Sequence, residues 1–241
     1  MREGVLRRGR GEADFRWRGR DVSRVENFSD IVFALVLTLL TASSMPQTFA
    51  ELLPLWRDLV AVAACLALLT LIWRGHYIYF RRYDLEDGTT ILLNTVLLFL
   101  VLAFAYPLKF LTRFLVDLVT ALLFGEPDLS AIDAVMALSD ARWLVVIYST
   151  GYCALFGVFA LLYAHAGRLA DGLELTPRER GLTRLAVWEA GVHMAAALVA
   201  IVLAVTLPAA VAPWSGWTYF AIIPGMMVVH WRHARSMAAV S

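Results

Sequence analysis

The sequence predicts an all-α membrane protein with six transmembrane helices per chain and both termini in the cytoplasm. Hydrophobic residues make up 60% of the 241 residues, whereas soluble domains average roughly 45–50% apolar residues. The mean hydropathy is +0.68, and apolar runs long enough to cross a bilayer recur along the chain. The polar–apolar alternation typical of transmembrane β-barrel strands does not occur.

The basic residues test the number of spans independently of hydropathy. Six spans place sixteen Arg residues on the side of the N terminus and four basic residues on the opposite side, with Arg74 inside the second helix. Cytoplasmic loops carry an excess of Lys and Arg. This asymmetry therefore predicts that both termini are cytoplasmic, and five or seven spans would mix the two groups.

The first helix follows a basic segment. Residues 1–22 are polar and rich in Arg and Gly, which predicts a cytoplasmic tail that is disordered or lies on the membrane surface. Ser23 and Glu26 have the spacing of a capping box at the start of a helix, and Pro46 ends that helix. The first helix is thus predicted over about residues 23–45.

Five further apolar segments follow, each bounded by a polar turn or a proline. The second ends in an aromatic belt around Tyr77 and Tyr79, which is typical of a membrane interface. Pro107 can kink the third, and Pro208 ends the fifth. The predicted helices cover about 54–80, 89–114, 141–168, 185–207 and 214–231, with a short interfacial helix at 118–124.

Asp30 is the most informative residue of the first helix, because it precedes ten nearly pure apolar residues, 31–40. A carboxylate at that depth is costly unless it has partners. Arg24 lies about 240° around the helix and about 9 Å along it, which is a poor position for pairing. Trp73 and His76, at the same depth on the second helix, are the predicted partners. Asp30 then either lines an ion pathway or holds helices together.

Two neighbouring stripes run along the first helix beyond Asp30. In a symmetric assembly of first helices, a ring of Leu35 can gate by dewetting and a ring of Thr38 can replace part of an ion's hydration shell. Stripes of this kind are usually ordinary helix packing, and the residues alone favour that interpretation. One stripe consists of Ile31, Leu35, Thr38, Ala42 and Met45, and the other of Ala34, Leu37, Thr41 and Ser44.

The segment RVENFSD, from Arg24 to Asp30, resembles the R-x-x-x-F-S-D motif that begins the first helix in the transmembrane protein 175 family. These proteins are potassium channels of endosomes and lysosomes, with prokaryotic relatives. Ile72-Trp73-x-x-His76 is similar to the family's second-helix motif, and Leu92-Leu93-Asn94 is similar to its third helix. The motif occurs once, as in the prokaryotic members that have one six-helix unit per chain.

The resemblance implies a homotetramer whose first helices form a pore around the symmetry axis, without the TVGYG filter of other potassium channels. It implies that K⁺ or other monovalent cations pass through the pore and that no cofactor is needed. It also implies a multi-pass protein of a prokaryotic plasma membrane, whose partners are its own copies, lipids and cations but not nucleic acid. Leu35 would be the pore constriction, and Ile31, Thr38, Ala42 and Met45 would line the pore. A polar network would comprise Arg24, Phe28, Ser29, Asp30, Trp73 and His76.

Other chemistry has less support in the sequence. Glu189 and His193 are four residues apart and share a helix face, as a proton-sensitive, metal-binding or hydrogen-bonded pair would. Because a metal site needs at least three protein ligands, we predict no metal. The sequence contains no catalytic triad order, HExxH, P-loop or nucleotide fingerprint, so we predict no catalytic residues and no enzyme activity.

Two alternatives to a channel remain open from the sequence. A proton-coupled transporter would use Asp30, His76, Glu189 and His193 as proton sites, and Pro107 or Pro224-Gly225 would break its helices near mid-membrane. A membrane scaffold would transport nothing.

Overall fold

The computed structural model describes residues 15–19, 21–42, 49–124, 138–208 and 211–238, and this part of the chain is helical without any strand. The all-α class is therefore confirmed. Among the described residues, four helical segments are long and apolar enough to cross a membrane by length and composition, namely Leu59–Tyr83, Gly88–Ala105, Arg142–Arg168 and Pro177–Thr206. The elements are α1 (Arg24–Ala42), α2 (Phe49–Tyr83), α3 (Gly88–Phe124), α4 (Leu138–Arg168), α5 (Pro177–Thr206), a 3₁₀ helix (Ala212–Ala221) and α6 (Ile222–Ala238).

Several helices are longer than the sequence predicted. α2 begins at Phe49 and not near residue 54. α3 continues to Phe124 and absorbs the predicted interfacial helix, because no Pro or Gly interrupts it after Pro107. α5 begins eight residues earlier than expected. There Thr176 accepts a hydrogen bond from the backbone N–H of Glu179 in a capping box, and Pro177 occupies the first turn.

The predicted sixth helix is two elements. A 3₁₀ helix covers Ala212–Ala221, and α6 continues from it over Ile222–Ala238. Pro224 lies in the first turn of α6, just after the end of the 3₁₀ helix. The predicted break at Pro224-Gly225 therefore falls at the start of a helix and not within one.

The pore helix candidate, α1, is attached through one face. It packs against α2 and α3, whereas the most extensive helix contact in the described chain joins α4 to α5. Phe33, Val36 and Leu40 of α1 are buried against an apolar cluster that includes Cys65 of α2 and Leu98 of α3. This cluster holds α1 against the rest of the bundle.

Polar contacts bring three chain segments to one end of the bundle. A hydrogen bond of 2.9 Å joins Nε2 of His165, near the end of α4, to Oδ2 of Asp87, in the turn between α2 and α3. The guanidinium of Arg18, just before α1, donates to the carbonyl of Leu173 in the α4–α5 loop at 2.9 Å. This end of the bundle contains the start of α1, the α2–α3 turn and the α4–α5 loop, and we call it the motif end.

Residues 15–19, which we call the strap, are docked on the helices, whereas the sequence predicted a tail that is disordered or lies on the membrane surface. The Phe15 side chain is only 4% exposed, and its ring meets the edge of the Tyr83 ring at 5.4 Å. The backbone N–H groups of Arg18 and Gly19 donate to the Arg81 carbonyl at 3.1 and 3.3 Å. Residues 1–14 and 20 lie outside the described structure.

Glu179 anchors the strap to α5. Its side chain is 2% exposed and lies 3.2 Å from the guanidinium of Arg18. It also accepts the backbone N–H of Arg16 at 2.8 Å and that of Thr176 at 2.9 Å. One carboxylate thus links the segment before α1 to the start of α5.

We predict that Glu179→Gln lowers the free energy of unfolding by roughly 1–3 kcal/mol, because the neutral amide leaves the half-buried Arg18 without its charged acceptor. Denaturant unfolding of the detergent-solubilised protein measures this. Glu174→Gln is the matched control, because Glu174 lies in the neighbouring α4–α5 loop and its side chain is exposed. Equal stability of the two variants would contradict the anchoring role.

Candidate pore helix and its polar network

Asp30 has a direct partner on α2. The indole Nε1 of Trp73 donates to Oδ1 of Asp30 at 2.7 Å, so the two side chains meet as their depths suggested. The Trp73 ring stacks on Tyr77, with ring centroids 5.6 Å apart. The acceptor is a carboxylate, which makes this a charge-assisted hydrogen bond. This hydrogen bond connects the exposed side of α1 to α2.

A second link lies deeper and runs to α3. His76 is 2% exposed, and its Nε2 lies 3.0 Å from Oδ1 of Asn94. The Asn94 amide donates to Oγ of Ser29 at 3.0 Å, and the Ser29 hydroxyl donates to the Val25 carbonyl at 2.7 Å. Since Asn94 uses its nitrogen toward Ser29, its oxygen accepts the proton of His76 Nε2. We call these three side chains the buried chain.

The buried chain corrects the expectation that His76 satisfies Asp30. Within the described residues, the hydrogen-bond partner of His76 is Asn94. The reason is geometric, because Asn94 projects from α3 at this depth and takes the imidazole. In the sequence, Asn94 was singled out only as part of the third-helix motif Leu92-Leu93-Asn94, and nothing there indicated its partners.

The remaining motif residues lie outside both links. Phe28 is 58% exposed and Arg24 is exposed, without an ion pair in the described part of the chain. The helix start itself is the predicted capping box. Glu26 accepts the Ser23 backbone N–H at 2.9 Å, and the Ser23 hydroxyl accepts the Glu26 backbone N–H at 3.1 Å.

The outer face of α1 is open in the single chain. Ile31 is 60% and Leu35 49% exposed, and Thr38 is also exposed. In the neighbouring stripe Ala34 and Thr41 are exposed, but Leu37 packs against the apolar cluster of α1. The described side chains therefore form a continuous open stripe at Ile31, Leu35 and Thr38. The Ala42 side chain and Met45 lie outside the described structure.

Similarity to known proteins extends over the same region and beyond it. The family model "Endosomal/lysosomal potassium channel TMEM175" matches residues 24–104, which span α1, α2 and the first half of α3. A protein of Marivirga tractuosa described as a potassium channel is 38% identical over an alignment of 226 residues, and the match covers 89% of each chain. The chain belongs to the TMEM175 family.

A solved structure matches the whole TMEM175-type fold. The crystal structure of a variant of the potassium channel MtTMEM175, in complex with a nanobody–MBP fusion protein, superposes with a TM-score of 0.82 at 36% identity. The match covers 92% of this chain and 97% of that chain. This TMEM175 member is therefore a multi-pass membrane protein of a potassium channel family. The matched proteins are channels, which confirms the expectation that it is not an enzyme.

Glu189 and His193 do not form the pair that their spacing suggested. Oε1 of Glu189 lies 2.9 Å from Nε2 of His230 on α6. Nδ1 of His193 lies 2.6 Å from the Tyr152 hydroxyl on α4, and its ring stacks on Phe156 at 4.0 Å. Each residue thus joins α5 to a different helix. Within the described residues, no three His, Cys, Asp or Glu side chains are grouped to hold a metal.

We predict that Asn94→Ala lowers the free energy of unfolding by roughly 1–3 kcal/mol, because it leaves the buried His76 donor and the Ser29 acceptor unpaired. Chemical unfolding in detergent measures the loss. Thr95→Ala is the control, since Thr95 is exposed on the same helix and donates only to its own helix, at Ile91. A loss no greater than that of the control would show that the buried chain does not stabilise the fold.

Proposed function

We propose that this chain forms a homotetrameric, potassium-permeable channel of a prokaryotic plasma membrane, with α1 from each copy lining the pore. One observation carries the proposal. α1 is fastened to α2 and α3 on one face and leaves an open stripe at Ile31, Leu35 and Thr38 on the other. Family membership supports the same assignment.

The chemistry of the open face suits a water-filled axis better than lipid. Asn27, Thr38 and Thr41 share this face with Ile31 and Leu35, and all five are exposed. Polar side chains inside a bilayer usually face the interior of a bundle or a water-filled cavity and not acyl chains. Packing α1 helices around an axis would remove the face from lipid and keep the polar groups hydrated.

Six spans with cytoplasmic termini complete the proposed topology. The hydrogen bonds at the motif end join the segment before α1 to the α4–α5 loop, and the end of α4 to the α2–α3 turn. These are the segments that carry most of the excess Arg residues. The positive-inside rule then supports a motif end that faces the cytoplasm.

Leu35 is the proposed constriction. Four copies of this branched apolar side chain around an axis would exclude water from a narrow ring, which gates by dewetting. Because the chain contains no TVGYG sequence, discrimination among cations would depend on rings of side chains on α1. K⁺ gives up its hydration shell more readily than Na⁺, so an apolar ring of this kind favours K⁺.

Thr38, one turn beyond Leu35, is the proposed polar layer. Its hydroxyl donates to the Ala34 carbonyl at 2.9 Å, so the oxygen's free lone pairs are left as acceptors. An acceptor ring can replace part of the hydration shell of a cation without any cofactor. Ile31 before the constriction, and Ala42 and Met45 after it, are the other proposed lining residues.

We predict that Leu35→Ala raises K⁺ flux several-fold and weakens K⁺/Na⁺ discrimination, because the smaller side chain widens the ring and lets water enter it. Flux from proteoliposomes under K⁺ and Na⁺ gradients measures both. Leu198→Ala is the matched control, because Leu198 is equally exposed, at 50%, but lies on α5. Unchanged K⁺ flux in Leu35→Ala would show that Leu35 does not form the pore constriction.

The same proteoliposomes separate a channel from a proton-coupled transporter. We predict that K⁺ flux rises with K⁺ concentration without early saturation and continues when no pH gradient is present. A transporter would instead saturate and would move protons in a fixed ratio to K⁺. The separation of Glu189 and His193 into two unrelated links favours the channel. Saturating, proton-coupled flux would overturn the proposal, and absence of flux would favour a scaffold.

A further inference from the structure

A basic cavity lies at the motif end, between the end of α4 and the start of α5. Its volume is about 330 Å³, which is in the range of small-ligand sites. Three guanidinium side chains line it, those of Arg168, Arg180 and Arg184. The cavity is remote from the open face of α1, since these residues belong to the α4–α5 half of the bundle.

The charges of the cavity are not balanced by the described protein. Arg180 has an acidic partner, Asp171, at 2.6 Å, and it also donates to the Leu175 carbonyl at 3.0 Å. Arg168 and Arg184 are exposed and have no ion pair in the described ranges. Within the described ranges, one of the three guanidinium groups is therefore paired, and its partner Asp171 has a side chain that is 92% exposed.

The lining of the cavity changes along α4 and α5, from Arg side chains near the helix ends to apolar side chains further into the bundle, beside the buried Tyr163 and Thr183. Arg168 is the last residue of α4, whereas Ala164 lies one turn further in and Val187 lies almost one turn beyond Arg184 on α5. Both apolar residues belong to segments that can cross a membrane. A charged mouth above an apolar wall has the polarity of a phospholipid, with its headgroup at the surface and its acyl chain below.

We propose that this cavity binds the phosphate headgroup of an anionic phospholipid from the leaflet at the motif end. Arg guanidinium groups match phosphate oxygens in bidentate geometry, and basic pockets between transmembrane helices are suited to anionic headgroups. Ala164 and Val187 would contact the start of an acyl chain, which free phosphate does not have. The proposal requires only that the protein spans the membrane and does not rest on the proposed channel activity.

The test measures lipid retention by native mass spectrometry on the full chain in neutral detergent, with phosphatidylglycerol and phosphatidylcholine in equal amounts. Wild type is expected to retain phosphatidylglycerol at least fivefold over phosphatidylcholine. The double variant Arg168→Gln/Arg184→Gln is expected to lose this preference. Arg232→Gln/Arg235→Gln, which removes two exposed charges from α6, is the matched control and is expected to retain it.

A second variant changes the result in the opposite direction. Asp171→Asn removes the one competing carboxylate and frees Arg180, so phosphatidylglycerol retention is expected to rise at least twofold. Because the Asp171 side chain is almost fully exposed, this variant keeps its fold and remains informative if the double variant does not fold.

Three results would overturn the proposal. The first is unchanged phosphatidylglycerol preference in a folded Arg168→Gln/Arg184→Gln variant. The second is an Asp171→Asn variant with unchanged or lower preference. The third is displacement of phosphatidylglycerol by millimolar inorganic phosphate, which would show that the cavity holds a soluble anion and not a lipid.

Discussion

The hydrogen bond from the Asn94 amide to the Ser29 hydroxyl is the interaction on which the arrangement of α1 depends. In the described part of the chain α1 packs mainly against α2 and α3. The apolar cluster holds it there, and directional hydrogen bonds are needed to fix its rotation about its own axis. Ser29 and Asp30 are adjacent and point about 100° apart. Because one is bonded to α3 and the other to α2, the two bonds together fix the rotation of α1 and hence which residues face outward.

The strap provides a second attachment for the same helix. Five residues before α1, the strap ends in Gly19, whose carbonyl accepts from the Arg81 guanidinium at 2.6 Å. Arg18, next to it, reaches Glu179 at the start of α5. The motif end of α1 is therefore held by α2 and α3 on one side and, through the strap, by the α4–α5 half.

Much of this arrangement follows from local sequence, and the exceptions have a common cause. The apolar content predicted the helical class, and the segment RVENFSD indicated the family. The equal predicted depth of Trp73 and Asp30 in the membrane was enough to predict their contact. The partner of His76 was wrong because three polar side chains compete at one depth, and helix rotation decides between them. The docking of the strap was not predicted, because Arg18 and Glu179 are 161 residues apart in the sequence and no local pattern connects them. The early start of α5 was readable, since Thr176, Pro177 and Glu179 form a capping signature.

The central claim, that the open face of α1 lines an ion pathway, is tested most directly by thiol modification of Thr38→Cys. The background would carry Cys65→Ser and Cys153→Ser, which removes both native thiols. A cationic methanethiosulfonate reagent, applied to either side of proteoliposomes, is predicted to reduce K⁺ flux through Thr38→Cys and to leave Leu198→Cys unaffected. K⁺ flux that continues unchanged through a demonstrably modified Thr38→Cys protein would contradict the account.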